Sequence, residues 1–345
     1  MTTTSISTAP SLMLRETQEI PTTVARQLAE NREAFRALGE RLRDRPLHLV
    51  GTCARGSSDH AATYGKYLIE TMIGVPVASL APSVASVFAA RVATDDALCI
   101  AISQSGRSPD LLATVDAWRD AGIPVAALVN DAESPLALRA DTLLPLWAGP
   151  ERSVAATKSC VAAMVAMAAL VAAWSGDADF AAGVEALPEA LARAVALDWS
   201  AGVASLSTAR QMFVLGRGYG FAVAQEAALK FKETCAIQAE AFSSAEVRHG
   251  PMTIIGPGFP ILAFATSDTA GDGVAAMAEE FRARGAIVLT ARAGAASPLP
   301  AEAAHPALEP ILQLASFYGL VEQLSRARGL DPDQPPYLAK VTRTQ

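Results

Sequence analysis

The sequence predicts an α/β protein made of two copies of one unit, each a parallel sheet flanked by helices. Three observations predict it. Short apolar runs read as buried strands, and each is followed by a helical stretch, the pattern of parallel strands joined by right-handed crossovers. The order strand, glycine loop, helix occurs twice, first from Leu47 and again from Gln211, with further strands at matching spacing in both halves. A chain of 345 residues is long enough for two domains of ordinary size.

Residues 1–44 read as a Thr/Ser-rich leader followed by a polar helix. Met1 to Pro10 has neither a basic start nor an apolar block, so it is not expected to be a secretory signal. In the first domain, 45–177, a strand at 47–51 ends in glycine. It runs into Arg55-Gly56-Ser57-Ser58-Asp59-His60 and a helix through about Glu70. The next strand, 97–102, leads into Ser103-Gln104-Ser105-Gly106-Arg107-Ser108-Pro109-Asp110, where Pro109 can open a helix, and a third strand starts at Val125. The apolar run from Cys160 to Trp174 is shorter than the roughly 20 residues of a membrane span and reads as a buried core helix. Residues 178–206 are helical, carry no strand signal and are expected to connect the repeats. In the second domain, 207–330, a strand at 211–216 runs into Arg217-Gly218-Tyr219-Gly220 and a helix from Ala222 to Glu233, and strands follow at 261–265 and 287–290. The Pro-rich segment 331–345 is expected to be an irregular tail over the active site.

The acidic balance, 35 Asp and Glu against 28 Lys and Arg, and the lack of a basic block argue against a nucleic-acid partner. No membrane span is expected, and a cytoplasmic location follows from that reading. Four scattered cysteines without a C-x-x-C pair point to neither a zinc site nor a disulfide framework. His48, His60 and His305 offer no metal-ligand spacing with His249. Neither a metal nor a cofactor is expected.

The segment Ser103 to Asp110 packs hydroxyls, an amide and a glycine between a strand and a helix start. Such a turn directs N–H groups, hydroxyls and the positive end of a helix dipole at one point, which is the chemistry for holding a phosphate monoester without a metal. A Ser-rich turn that merely caps a helix would use the same residues. The loop carrying Ser57 and Ser58 lies at the matching end of the first strand, where parallel sheets bind ligands. Neither loop has the G-x-x-x-x-G-K-[ST] pattern of a nucleoside-triphosphate site, and Gly216-Arg217-Gly218 is a weak dinucleotide signal. Glu226, Lys230 and Glu233 are at helical spacing. The default reading of Glu226 and Lys230 is a solvated i,i+4 ion pair, while a carboxylate beside a bound sugar can move protons between adjacent carbons. His249, between Arg248 and a Gly-Pro break, has the side chain best suited to acid/base work near neutral pH, although a turn histidine with a structural hydrogen bond fits as well. Lys340 is an ordinary tail lysine unless the tail folds over a site, where a lysine can form a Schiff base with a ketose.

Taken together, Ser103-Gln104-Ser105-Gly106, Glu151 through Lys158, Leu215 through Gly218, Glu226 through Glu233, Glu240 through Pro251 and Asp333-Gln334-Pro335 with Leu338-Ala339-Lys340 carry a resemblance over nearly the whole chain after the leader. The chain resembles a tandem pair of sugar isomerase (SIS) domains, as in the isomerase half of glucosamine-6-phosphate synthase. It is closer in look to free-standing aminosugar-phosphate deaminase/isomerases. The resemblance implies that Ser57, Ser58, Ser103, Gln104, Ser105 and Ser108 bind the sugar phosphate. It implies that Glu233 shuttles a proton between C1 and C2, that His249 assists ring opening and that Lys340 contacts the open-chain ketose. Val154, Ala156 and Lys230 would line the sugar, and the protein would be a homodimer in which His249 reaches the neighbour's site. Arg55 and Ala156 depart from the synthase pattern, which has cysteine and serine there, and this leaves sugar specificity open. The lack of a glutaminase domain and of a cysteine at position 2 leads to an expectation of free ammonium rather than glutamine. The expected activity is conversion of glucosamine 6-phosphate to fructose 6-phosphate and ammonia, with no cofactor. The alternatives are the same chemistry on galactosamine 6-phosphate or another phosphosugar, or a non-catalytic sugar-phosphate sensor.

Overall fold

The computed structural model describes residues 9–340; the leader up to Thr8 and the last residues of the tail, 341–345, lie outside that range. Two helices open the chain, α1 (Leu12–Gln18) and α2 (Ile20–Asp44). The first repeat then runs β1 (Leu49–Cys53), α3 (Ser57–Met72), β2 (Val77–Ser79), α4 (Pro82–Ser86), β3 (Ala97–Ser103), α5 (Pro109–Asp120), β4 (Val125–Val129), β5 (Thr142–Pro145) and α6 (Lys158–Ser175). Three helices follow, α7 (Ala178–Glu185), α8 (Leu187–Ala194) and α9 (Ser200–Leu206). The second repeat is β6 (Gln211–Gly216), α10 (Tyr219–Cys235), β7 (Gln238–Ser243), β8 (Pro260–Phe264), α11 (Thr269–Ala283), β9 (Ile287–Ala291) and α12 (Glu309–Ala327). Both sheets are parallel, in the orders β2-β1-β3-β4-β5 and β7-β6-β8-β9.

These elements gather into two compact units that cut across the linear division. Among the described residues, one unit is Thr22–Glu151 with Lys158–Pro188, and the other is 9–21 with Arg152–Thr157 and Glu189–Lys340. Stretches 9–44 and 178–206 are each divided between the units. The reason is packing. In the second-repeat unit α1 and α9 both lie on α12, whereas in the first-repeat unit α7 lies on α6.

In the first-repeat unit every residue of β3 and β4 is buried, because helices cover both faces, and this is why these strands read as unbroken apolar runs. Alternate residues Cys99, Ala101, Val125 and Ala127 pack with Leu111, Val115 and Trp118 of α5. Helix α6 is 18 residues long and apolar enough to cross a membrane, but 89% of it is buried inside the protein. It packs on α3, where Gly65 makes room: a Cβ there would sit 2.2 Å from the Met167 methyl. In the second-repeat unit Phe213, Ile261 and Ala263 pack with Val274, Met277 and Phe281 of α11.

The repeats share a specific turn. Gly56, before α3, has φ 55° and ψ −132°, and Gly218, before α10, has φ 57° and ψ −130°. This mirror-image extended conformation is open to glycine at little cost, so each repeat needs glycine at that point.

Candidate active site

The residues expected to bind phosphate all lie in the first-repeat unit. Ser57 and Ser58 are the first residues of α3, partly buried, with no side-chain cap at that helix start. Ser103 ends β3 and is buried, and its Oγ accepts from the Gly106 N–H at 3.0 Å, which draws the loop into a tight turn. Gln104, Ser105 and Ser108 are partly buried. Ser108 occupies the N-cap position of α5 without a capping bond from its side chain, and Pro109 follows. The hydroxyl and the helix start are therefore not spent on one another. Two loops are joined at this place by an ion pair, since Arg55 donates to Asp110 at 3.1 Å from Nε and 2.7 Å from Nη2.

The equivalent helix start of the second repeat is built differently. Asp268 caps α11 by accepting from the Gly271 N–H at 2.9 Å, and the Thr266 hydroxyl donates to the same carboxylate at 2.6 Å. A carboxylate at that point repels an anion. In the first repeat the N-cap side chain, Ser108, makes no capping bond, and the first-turn carboxylate, Asp110, accepts from the Leu111 N–H at 2.8 Å and pairs with Arg55.

The second-repeat unit holds the remaining candidates. Along α10, the Lys230 ammonium lies 3.0 Å from Glu226 Oε1 and 2.7 Å from Glu233 Oε2. The solvated ion pair expected for Glu226 and Lys230 is not found, because both residues are fully buried. Helix α10 packs on α12, and Tyr318 brings its hydroxyl within 3.4 Å of Glu226 Oε1. The Lys230 side chain, expected to line the sugar, is 0% exposed and lies against the two carboxylates. The Glu233 side chain, 21% exposed, is the member of the row that reaches solvent.

His249 ends a 3-10 turn, Glu246–His249, and is exposed; Gly250, with φ 135°, and Pro251 then turn the chain away. Val154 and Ala156 are partly buried in a segment without helix or strand. Buried Glu16 of α1 accepts from the N–H groups of Arg152 and Ser153, and the Val154 N–H donates to the Asp333 carbonyl at 3.4 Å. The Asp333 carboxylate in turn accepts from Leu12 N at 2.7 Å and Met13 N at 2.8 Å, capping α1 from the tail. These bonds of Glu16 and Asp333 could not be read from the sequence because their partners are 136 and 321 positions away. Lys340, partly buried, is the last described residue of the irregular tail.

All four cysteines are buried, and none is in a disulfide among the described residues. Burial pushes the Cys53 and Cys235 thiols up to about 12, and that of Cys99 upward as well. Just before β1 and β3, His48, Asp95 and Asp96 bring one potential metal ligand each within 4.8 Å of one another, a grouping hidden in linear spacing. It lies at the surface, and Asp96 already pairs with Arg45 at 3.1 Å.

The SIS domain profile matches twice, at residues 50–173 and 205–328. The chain belongs to the SIS domain family. Among SIS relatives of solved structure, a provisionally named phosphosugar isomerase from Silicibacter pomeroyi DSS-3 is 43% identical, with a TM-score of 0.88 over 94% of this chain and 100% of that one. The C-terminal domain of glucosamine-fructose-6-phosphate aminotransferase from Francisella tularensis is 25% identical, with a TM-score of 0.84 over 96% of this chain and 100% of that one. The isomerizing glutamine–fructose-6-phosphate aminotransferase of Symbiobacterium thermophilum is 34% identical over 86% of this chain and 52% of its own length. The chain spans about half the length of the curated relatives it matches.

Proposed function

We propose that this SIS protein is an isomerising deaminase of a hexosamine 6-phosphate, turning glucosamine 6-phosphate and water into fructose 6-phosphate and ammonia. The observation that carries the reading is the row on α10, in which a buried ammonium fixes a carboxylate whose edge reaches solvent. A carboxylate held in one orientation is what proton transfer between neighbouring carbons requires. The names of the relatives, an isomerizing fructose-6-phosphate aminotransferase and a phosphosugar isomerase, support the substrate class.

Roles follow from the chemistry. Ser57, Ser58, Ser103, Gln104, Ser105 and Ser108 hold the phosphate, with Val154 and Ala156 along the sugar. His249 moves the proton that opens the ring and exposes C1 as an aldehyde; its exposure suits an encounter with a second copy of the chain in a homodimer. Glu233 takes the proton from C2 and returns it to C1, which leaves a ketimine at C2. Water adds to that carbon, ammonia leaves and the ketose remains. Lys340 contacts the open-chain ketose, and Lys230 positions Glu233. No step calls for a metal or an organic cofactor.

The test is incubation of the purified protein with glucosamine, galactosamine and mannosamine 6-phosphates, with ammonium and ketose assayed together. Equal release of both from the gluco epimer is expected. Ammonium without ketose, or no turnover of any of the three, overturns the reading.

A further inference from the structure

We propose that Arg55 is a phosphate ligand that the first repeat adds to its serine loops, held in place by Asp110. The inference rests on the proposed phosphate role of those loops. Arg55 stands two residues before Ser57, and Asp110 two residues after Ser108, so their contact ties the two loops at their roots. Arg55 spends Nε and Nη2 on a single Asp110 oxygen, at 3.1 and 2.7 Å, and its Nη1 makes no hydrogen bond among the described residues. The Asp110 side chain is 1% exposed, whereas that of Arg55 is 53% exposed. One edge of the guanidinium is anchored on a buried carboxylate, and the half-exposed side chain stands on the loop that leads into Ser57 and Ser58.

The charge balance calls for such an arrangement. Asp110 lies in the first turn of α5, where the helix start would otherwise favour an anion, and its negative charge opposes a phosphate dianion. A guanidinium neutralises that charge and keeps donors in reserve for phosphate oxygens, because its planar fork serves two oxygen ligands at once. A lysine ammonium, a point donor on a flexible stem, is a poorer fit for both tasks. Asp110 is thus a positioning residue, and Arg55 the group that touches the substrate.

The test is calorimetric titration of the full chain with inorganic phosphate and with fructose 6-phosphate, beside thermal melts. The variants are Arg55→Ala, Arg55→Ala with Asp110→Asn, and Ser103→Ala with Ser105→Ala. Arg55→Ala should weaken both ligands by about tenfold or more, the scale of a lost charge-assisted bond. The Arg55→Ala/Asp110→Asn protein should stay equally weak while melting close to wild type, because no buried carboxylate has lost a partner. Wild-type binding by that double variant means that Arg55 only screens Asp110, and it overturns the proposal. If the serine pair also binds as wild type, the phosphate reading of the loops itself fails; weak binding by the serine pair alone confines the failure to Arg55.

Discussion

Lys230 shows how much one side chain decides here. A fully buried ammonium survives because carboxylates at i−4 and i+3 on the same helix flank it, at 3.0 and 2.7 Å. The spacing of Glu226, Lys230 and Glu233 was legible in the sequence, but their burial was not. Helical periodicity tells which residues share a face; it does not tell that α12 will cover that face with Tyr318. Lys230→Met should cost on the order of 3–5 kcal/mol in urea denaturation, since it strands buried Glu226 without its counter-charge. Pairing it with Glu226→Gln should recover most of the stability and little of the ammonium release, because Glu233 still lacks its anchor. Wild-type turnover by the double variant would show that Lys230 serves the fold alone.

At the scale of elements, the strands that could be read in advance were β1, β3, β4, β6, β8 and β9. Those at the centre of a sheet are apolar on both faces; β3, for instance, is buried throughout. The edge strand β2 has three residues, and the edge strand β7 exposes Gln238 and Glu240, so neither has an apolar run to show. Strand β1 was expected at 47–51 and starts two residues later, taking in buried Thr52 and Cys53 at its loop end. The least legible feature is the fastening of α1, a helix of seven residues capped by the distant Asp333. Asp333→Ala removes two charge-assisted bonds, each worth roughly 1.5–3 kcal/mol. Amide hydrogen exchange should quicken in α1 and the 331–340 tail by at least about tenfold, with β3 and β6 unchanged. Unaltered protection of α1 would mean that its packing on α12 holds it without the cap.

Across the whole molecule, two copies of one architecture carry different side chains at their helix starts. The turns at Gly56 and Gly218 keep nearly the same backbone angles. The helix starts diverge, with the first leaving Ser108 uncommitted and the second closed by Asp268. The α10 row of the second repeat carries the proposed proton chemistry, and this division of labour is the centre of the account. The most direct measurement of it follows, by NMR in deuterated water, exchange of the C2 hydrogen of glucosamine 6-phosphate on wild-type protein and on Glu233→Gln. Glutamine keeps the shape of the side chain and removes the base. Exchange and ammonium release should fall together by on the order of 10²–10⁴ while fructose 6-phosphate binds as before. A variant that exchanges and deaminates near the wild-type rate would make Glu233 a structural residue and contradict the account.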